Sequence, residues 1–257
     1  MGAQRKNKEK DRGRNKVGYN ILNRLIAHIS DQKMINILEF LKSGISKKRL
    51  KEHYINNSGL WKQKKCQLLD NSIGFPYMER QRDLKDFEFG YANAVFRRMF
   101  FGGNKMMAAD NCCEVIAVYN AITFLGHGVP SIDFPVLLKS FERNGLVLHG
   151  CFGTSPKTIY KYFGHKGYNA HMLVGEDINE SSLLHMKESH DTYILTAYNE
   201  KGHIESMIHT VSITVHDGKY YIHNSSDDRG KAYDTLYNAV EGFGEGKSDA
   251  ICVIGVS

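Results

Sequence analysis

Long apolar runs are missing from this chain. No stretch approaches the ~18–20 residues needed to cross a bilayer as a helix, although the hydrophobic content is an ordinary 42%. The N-terminus has no apolar segment of the secretory type, and Lys6 occupies the place where a myristoylation signal carries Ser or Thr. Cysteine is sparse: the five, at 66, 112, 113, 151 and 252, are odd in number and form no disulfide framework. No pair stands at CxxC spacing, and the histidines are scattered, so the sequence gives no zinc site and implies no cofactor. A reducing compartment, the cytoplasm, is the expectation.

Charge is also short over most of the length. Residues 1–16 carry seven Lys or Arg against Glu9 and Asp11, a surplus of five out of the net +6. Residues 17–257 are therefore nearly neutral. The first sixteen residues read as a disordered basic arm, to which any nucleic-acid contact would be confined.

Helical periodicity follows from 17 to about 100. Ile21, Leu22, Leu25, Ile26 and Ile29 form one apolar stripe, and Met34, Ile35, Ile37, Leu38 and Leu41 another. Ser46 caps a third helix, which the run Asn56-Asn57-Ser58-Gly59 is expected to break before Leu60-Trp61 begins the next. That helix–break–helix pattern resembles a DNA-reading motif but has no side-chain pattern for base edges. A last helix is expected from Glu88 to Phe101, stopped by Gly102-Gly103. These two glycines also resemble a double-glycine processing point.

Beyond 104 the order is helices 113–125, 133–143 and 155–164, a strand near 168–174, a short helix 181–188, a strand 193–198, a hairpin 208–224 and a final strand 250–256. Helices first and antiparallel strands later is an α+β layout. In the hairpin, His209, Val211, Ile213 and Val215 alternate with Thr210, Ser212, Thr214 and His216, and Asp217-Gly218 suits a two-residue turn. The expected pairs are His216 with Lys219, Val215 with Tyr220, Ile213 with Ile222, and Val211 with Asn224. Asn224 then shares the face of His209.

Cys113 opens the run Cys113-Glu114-Val115-Ile116-Ala117-Val118-Tyr119-Asn120-Ala121, capped by Asp110 or Asn111 and stopped near Gly126. A thiol at a helix N-terminus meets the positive end of the macrodipole, which favours thiolate. A buried cysteine is also a good small hydrophobe, and helix register alone does not choose between Cys112 and Cys113. A sulfur, an imidazole and a carboxamide in this order are the parts of a thiol-nucleophile site: Cys113 attacks, His209 handles the proton, and the Asn224 amide orients the ring.

The block from Cys113 to Ala121, with His209-Thr-Val-Ser-Ile-Thr-Val and Gly-Lys-Tyr-Tyr-Ile-His-Asn224, resembles bacterial papain-like cysteine peptidases. The closest likeness is to the double-glycine leader peptidases that process bacteriocin precursors. The resemblance covers about 104–257 and implies a central nucleophile helix on an antiparallel sheet, with Cys113, His209 and Asn224 as catalytic residues and a peptide or protein as substrate. It also implies a division into the basic arm 1–16, a helical region 17–103, which could cover the cleft as a propeptide does, and a catalytic domain 104–257. The family has an oxyanion glutamine several residues before its nucleophile, whereas this chain has no Gln after Gln81, so the role is vacant or passes to Asn111 or Asn104; Glu114 stands where many relatives have glycine. The same residues would also serve an acyltransferase or transglutaminase-like enzyme, or a non-catalytic peptide-binding module.

Overall fold

The computed structural model describes residues 29–71, 74–91, 106–199 and 208–257. The arm 1–16, the first apolar stripe to Ala27, Asn104 and the Gly102-Gly103 pair lie outside them.

The architecture is α+β. A six-stranded antiparallel sheet has the order β3 (Ala170–Val174), β8 (Asp249–Val256), β4 (Thr192–Tyr198), β5 (Ile208–His216), β6 (Lys219–His223), β7 (Ala232–Tyr233). A small separate ladder joins β1 (Lys42–Ser43) to β2 (Leu146–Val147). One face of the large sheet carries helix α4 (Cys113–Leu125), whose Val115, Ile116, Ala117, Val118, Ala121 and Ile122 are buried together with Ile194 and Ile254 of the strands. A helix apolar on every side has to be surrounded, and this one is. Helices α5 (Phe134–Asn144) and α6 (Pro156–His165) add Leu137, Phe141, Ile159 and Phe163 to the same core. On the opposite face, α7 (Glu180–Ser189) and α8 (Leu236–Gly242) bury Leu183, Met186, Leu236 and Val240 against Leu195, Val211 and Ile213.

Every element expected from 113 onward comes out within two residues of its expected bounds: helices α4, α5, α6 and α7, strands β3, β4 and β8, and the hairpin β5–β6. Others need correction. The break expected at Asn56–Gly59 does not exist, because α2 runs unbroken over Lys47–Leu68. Tertiary contacts explain this. Asn57 turns its carboxamide inward and exchanges hydrogen bonds with the Glu88 main chain, donating to O at 2.8 Å and accepting from N at 3.0 Å. Gly59 meets nothing within 4 Å. Turn-forming residues that find partners or open space do not terminate a helix, and without the break the DNA-reading pattern dissolves. Glu88–Tyr91, expected to start a helix, is instead non-helical, with Gly90 at φ +83° against His149 O.

The segment before the site is built into the same core. Trp61 of α2 contacts the rings of Tyr119 and Phe134 at 5.8 and 5.7 Å. His53 of α2 meets Glu142 of α5 at 2.6 Å, and the same carboxylate oxygen accepts from Gly90 N at 2.9 Å. No helix among the described residues is long and apolar enough to cross a membrane.

Candidate active site

Two short helical pieces deliver the cysteines. Helix α3 (Ala108–Asn111) is followed at once by α4, with Cys112 between them and Cys113 as the first residue of α4. Cys112 is fully buried within the apolar core around α4, whereas Cys113 lies outside that cluster. The groups acting on the Cys113 sulfur are polar, namely the main chain of Thr210 on β5, which favours thiolate, and the Glu114 carboxyl, which opposes it. Burial first and the Glu114 charge second push its pKa well above the ordinary thiol value. The depressed pKa expected from the helix N-terminus is not found, because desolvation and the adjacent carboxylate outweigh the macrodipole.

His209 is the second residue of β5. Three of the expected hairpin pairs form, His216–Lys219, Val215–Tyr220 and Ile213–Ile222, across a turn with Asp217 and Gly218 at φ +51° and +73°. The fourth does not. β6 ends at His223, and Asn224 swings to φ +66°. This changes how the asparagine acts. His209 Nε2 bonds the main-chain carbonyl of Asn224 at 2.8 Å, while the Asn224 side-chain oxygen accepts from Gln81 N at 2.9 Å and Nδ2 is buried without an acceptor. The expected carboxamide orienter is thus corrected to a main-chain one. A carbonyl can only accept, so Nε2 carries the proton and Nδ1 is the basic nitrogen. Burial lowers the His209 pKa, countered only in part by the Asn224 carbonyl, and the ring is neutral at neutral pH.

Strand alternation decides which way the ring leaves. Ile194, which packs on α4, is opposite Ser212, and Ala197, which packs with α7 and α8, is opposite His209. His209 therefore departs on the α7–α8 face, where its ring stacks with Phe243 at 6.3 Å and 19°. The Cys113 sulfur comes from the α4 face and meets the strand one residue on, at Thr210. Among the described residues no hydrogen bond joins the two. The three expected residues are gathered at one end of the sheet, but not as a single hydrogen-bonded chain.

A cleft of about 760 Å³ lies at that end, lined among others by Gln81, Ala109, His209, Asn224, Ser225 and Phe243. Gln81 donates from Nε2 to Ala109 O at 3.1 Å, which leaves its amide a second N–H. Asn111, an expected oxyanion donor, does not qualify. Its amide is spent on Phe89 O at 3.3 Å and Gly150 O at 2.7 Å, beneath the surface.

Three residues with no signal in the sequence hold this end together. Glu79 accepts from Asn224 N at 3.0 Å and from His223 Nδ1, and His223 Nε2 bonds Thr214 Oγ1 at 2.7 Å. Asn120 of α4 grips the strap that carries Glu79, accepting from Met78 N at 2.8 Å and donating to Met78 O at 3.0 Å. Buried Asp228 accepts from Tyr233 at 2.6 Å, from Ser225 at 2.7 Å and from Gly244 N at 3.1 Å, fixing the loop that presents Phe243. The Glu79 and Asn120 contacts span segments far apart in sequence, and those of Asp228 lie within loops, where periodicity is blind.

The left-handed backbone of Asn224 gives a direct check. Asn224→Gly should retain about 1–2 kcal/mol more stability than Asn224→Ala, because only the alanine pays for a Cβ at positive φ. Thermal or urea melts of the two variants measure the difference, and equal midpoints would contradict the geometry.

Comparison with family models, with curated proteins and with solved structures finds no match to this chain.

Proposed function

We propose that the chain is a cytoplasmic cysteine peptidase of papain-like type, acting on a peptide or protein substrate bound in the cleft beside His209. The observation that carries this reading is the 2.8 Å bond from His209 Nε2 to the Asn224 carbonyl. It sets the tautomer that a general base needs, on a neutral ring, next to the strand residue whose main chain acts on the Cys113 thiol. In the proposed sequence the Cys113 sulfur attacks the peptide carbonyl carbon and His209 Nδ1 takes the thiol proton. The C–N bond then breaks, the proton passes to the departing amine, and water releases the acyl group from sulfur. Gln81 and the first N–H groups of α4 are the proposed donors to the oxyanion. Thiol–imidazole contacts are commonly long without substrate and tighten when it binds.

A second reading, a peptide-binding module without turnover, is favoured by the buried, elevated thiol of Cys113. Incubation with a broad peptide library separates the two. New peptide termini that vanish in His209→Ala support the enzyme; no cleavage by a folded chain, with peptides still retained, supports the module. If an added amine is incorporated at the new carboxyl ends, the acceptor is an amine and the enzyme is an acyltransferase.

A further inference from the structure

A left-handed residue other than glycine persists only where its surroundings over-determine it. Asn224, at φ +66°, is held twice by the segment 79–81. Glu79 Oε2 accepts from its main-chain N at 3.0 Å, and Gln81 N donates to its Oδ1 at 2.9 Å. Held this way, Asn224 presents its carbonyl to His209 Nε2 at 2.8 Å. Both Glu79 oxygens are committed, since Oε1 takes His223 Nδ1. The Glu79 and His223 side chains are 7% and 1% exposed, so water does not compete for these bonds. His223 is braced in turn by Thr214 Oγ1 at 2.7 Å and by the Tyr77 ring, with centroids 4.1 Å apart. Tyr77 closes the arrangement by bonding His216 Nε2 through its hydroxyl at 3.0 Å.

We propose that Glu79 is a positioning residue, which fixes the tautomer and direction of the His209 ring through the main chain of Asn224; this rests on His209 being the base of the proposed peptidase. With both oxygens taken, the carboxylate acts on the ring and not on substrate. Glu79 also lies outside 104–257, the part of the chain with the papain-like resemblance. A covering segment that left on processing would take this carboxylate with it, so the stretch around 79 is retained in the working form.

The test reads the His209 ring and turnover separately. With isotope-labelled histidine at about pH 8, where imidazoles are neutral, the ring nitrogens of the unaltered chain should show a protonated Nε2 and a bare Nδ1. His209→Gln assigns the signals by removing them. In Glu79→Ala both signals should move toward the averaged positions of a ring exchanging between tautomers. The kcat for peptide cleavage should fall about tenfold or more, with KM within about threefold. In Glu79→Gln the amide oxygen still accepts from Asn224 N and the amide N–H faces His223 Nδ1, so the signals and most of kcat should return. A role in stability alone would lower the melting point and leave the signals of folded Glu79→Ala in place, which overturns the proposal. A glutamine variant no better than alanine overturns it too, as does a loss carried by KM with kcat unchanged. Should Glu79→Ala fail to fold, Glu79→Ala with His223→Leu removes the stranded donor along with its acceptor and is read the same way. If the unaltered chain cuts no peptide while the ring signals respond as expected, the peptidase reading fails and the positioning of His209 stands. If cleavage proceeds while the signals do not respond, the positioning fails and the peptidase stands.

Discussion

Cys113→Ala should lose peptide cleavage by roughly 10³-fold or more relative to the unaltered chain, since in covalent catalysis the attacking atom is the one group whose work no neighbour can take over. The fold should survive. Cys113 is a small buried side chain outside the apolar cluster around α4, and its truncation to alanine removes a single sulfur atom. Cys112→Ala provides the contrast. That sulfur is packed in the core, so its removal should cost about 1 kcal/mol of stability and leave alkylation at 113 in place. Cleavage assays and labelled-site mapping on the two single variants decide between them. If labelling and cleavage disappear in Cys112→Ala and persist in Cys113→Ala, the nucleophile is the other thiol.

The largest effect on stability is expected at Glu142. It is fully buried in α5, and one oxygen receives both His53 of α2, at 2.6 Å, and Gly90 N, at 2.9 Å. Glu142→Ala strips two buried donors of their acceptor at once, which costs about 3–5 kcal/mol. Against a total of about 5–15 kcal/mol for a typical domain, that is enough to make the chain marginal. A urea midpoint unchanged within error would show that the pair is not buried as described. The pair also sets a pH dependence. Burial works to lower the His53 pKa, but the hydrogen bond and charge of Glu142 win and raise it. A histidine whose folded pKa exceeds its unfolded value contributes stability that is fully present below about 6.5, and this is lost as pH climbs through the folded value. Urea midpoints should therefore fall above pH ~6.5, and His53→Gln should flatten that part of the profile.

Local pattern carried much of the fold. The start of α4 at Cys113, its stop at Gly126 and three pairs of the hairpin were legible because each depends on neighbours within a few residues. A Cβ at Gly126 would lie 2.0 Å from Val129 O, so the glycine is required there. Asn57 and Gly59 misled, since residues that break helices in isolation are harmless when a distant main chain or open space receives them. Glu88 misled for the related reason that its backbone is claimed by α2. In the candidate site, the places of Cys113 at a helix start and of His209 and Asn224 near the ends of the hairpin strands could be picked out, but not how they are joined. Alternation gave Asn224 the face of His209, and only the positive φ at the strand end shows that its carbonyl, not its amide, faces the ring. Glu79, Gln81 and Glu114 gave no periodic signal, being single polar residues whose partners lie elsewhere in the chain.

The grip of Asn120 on Met78 has a mechanical consequence. The same helix that presents the sulfur holds, about two turns further along, the strap whose next residue clamps the peptide unit under the imidazole. Cys113 and His209 thus hang from one girder, and sliding that helix along the sheet would drag both together instead of pulling them apart.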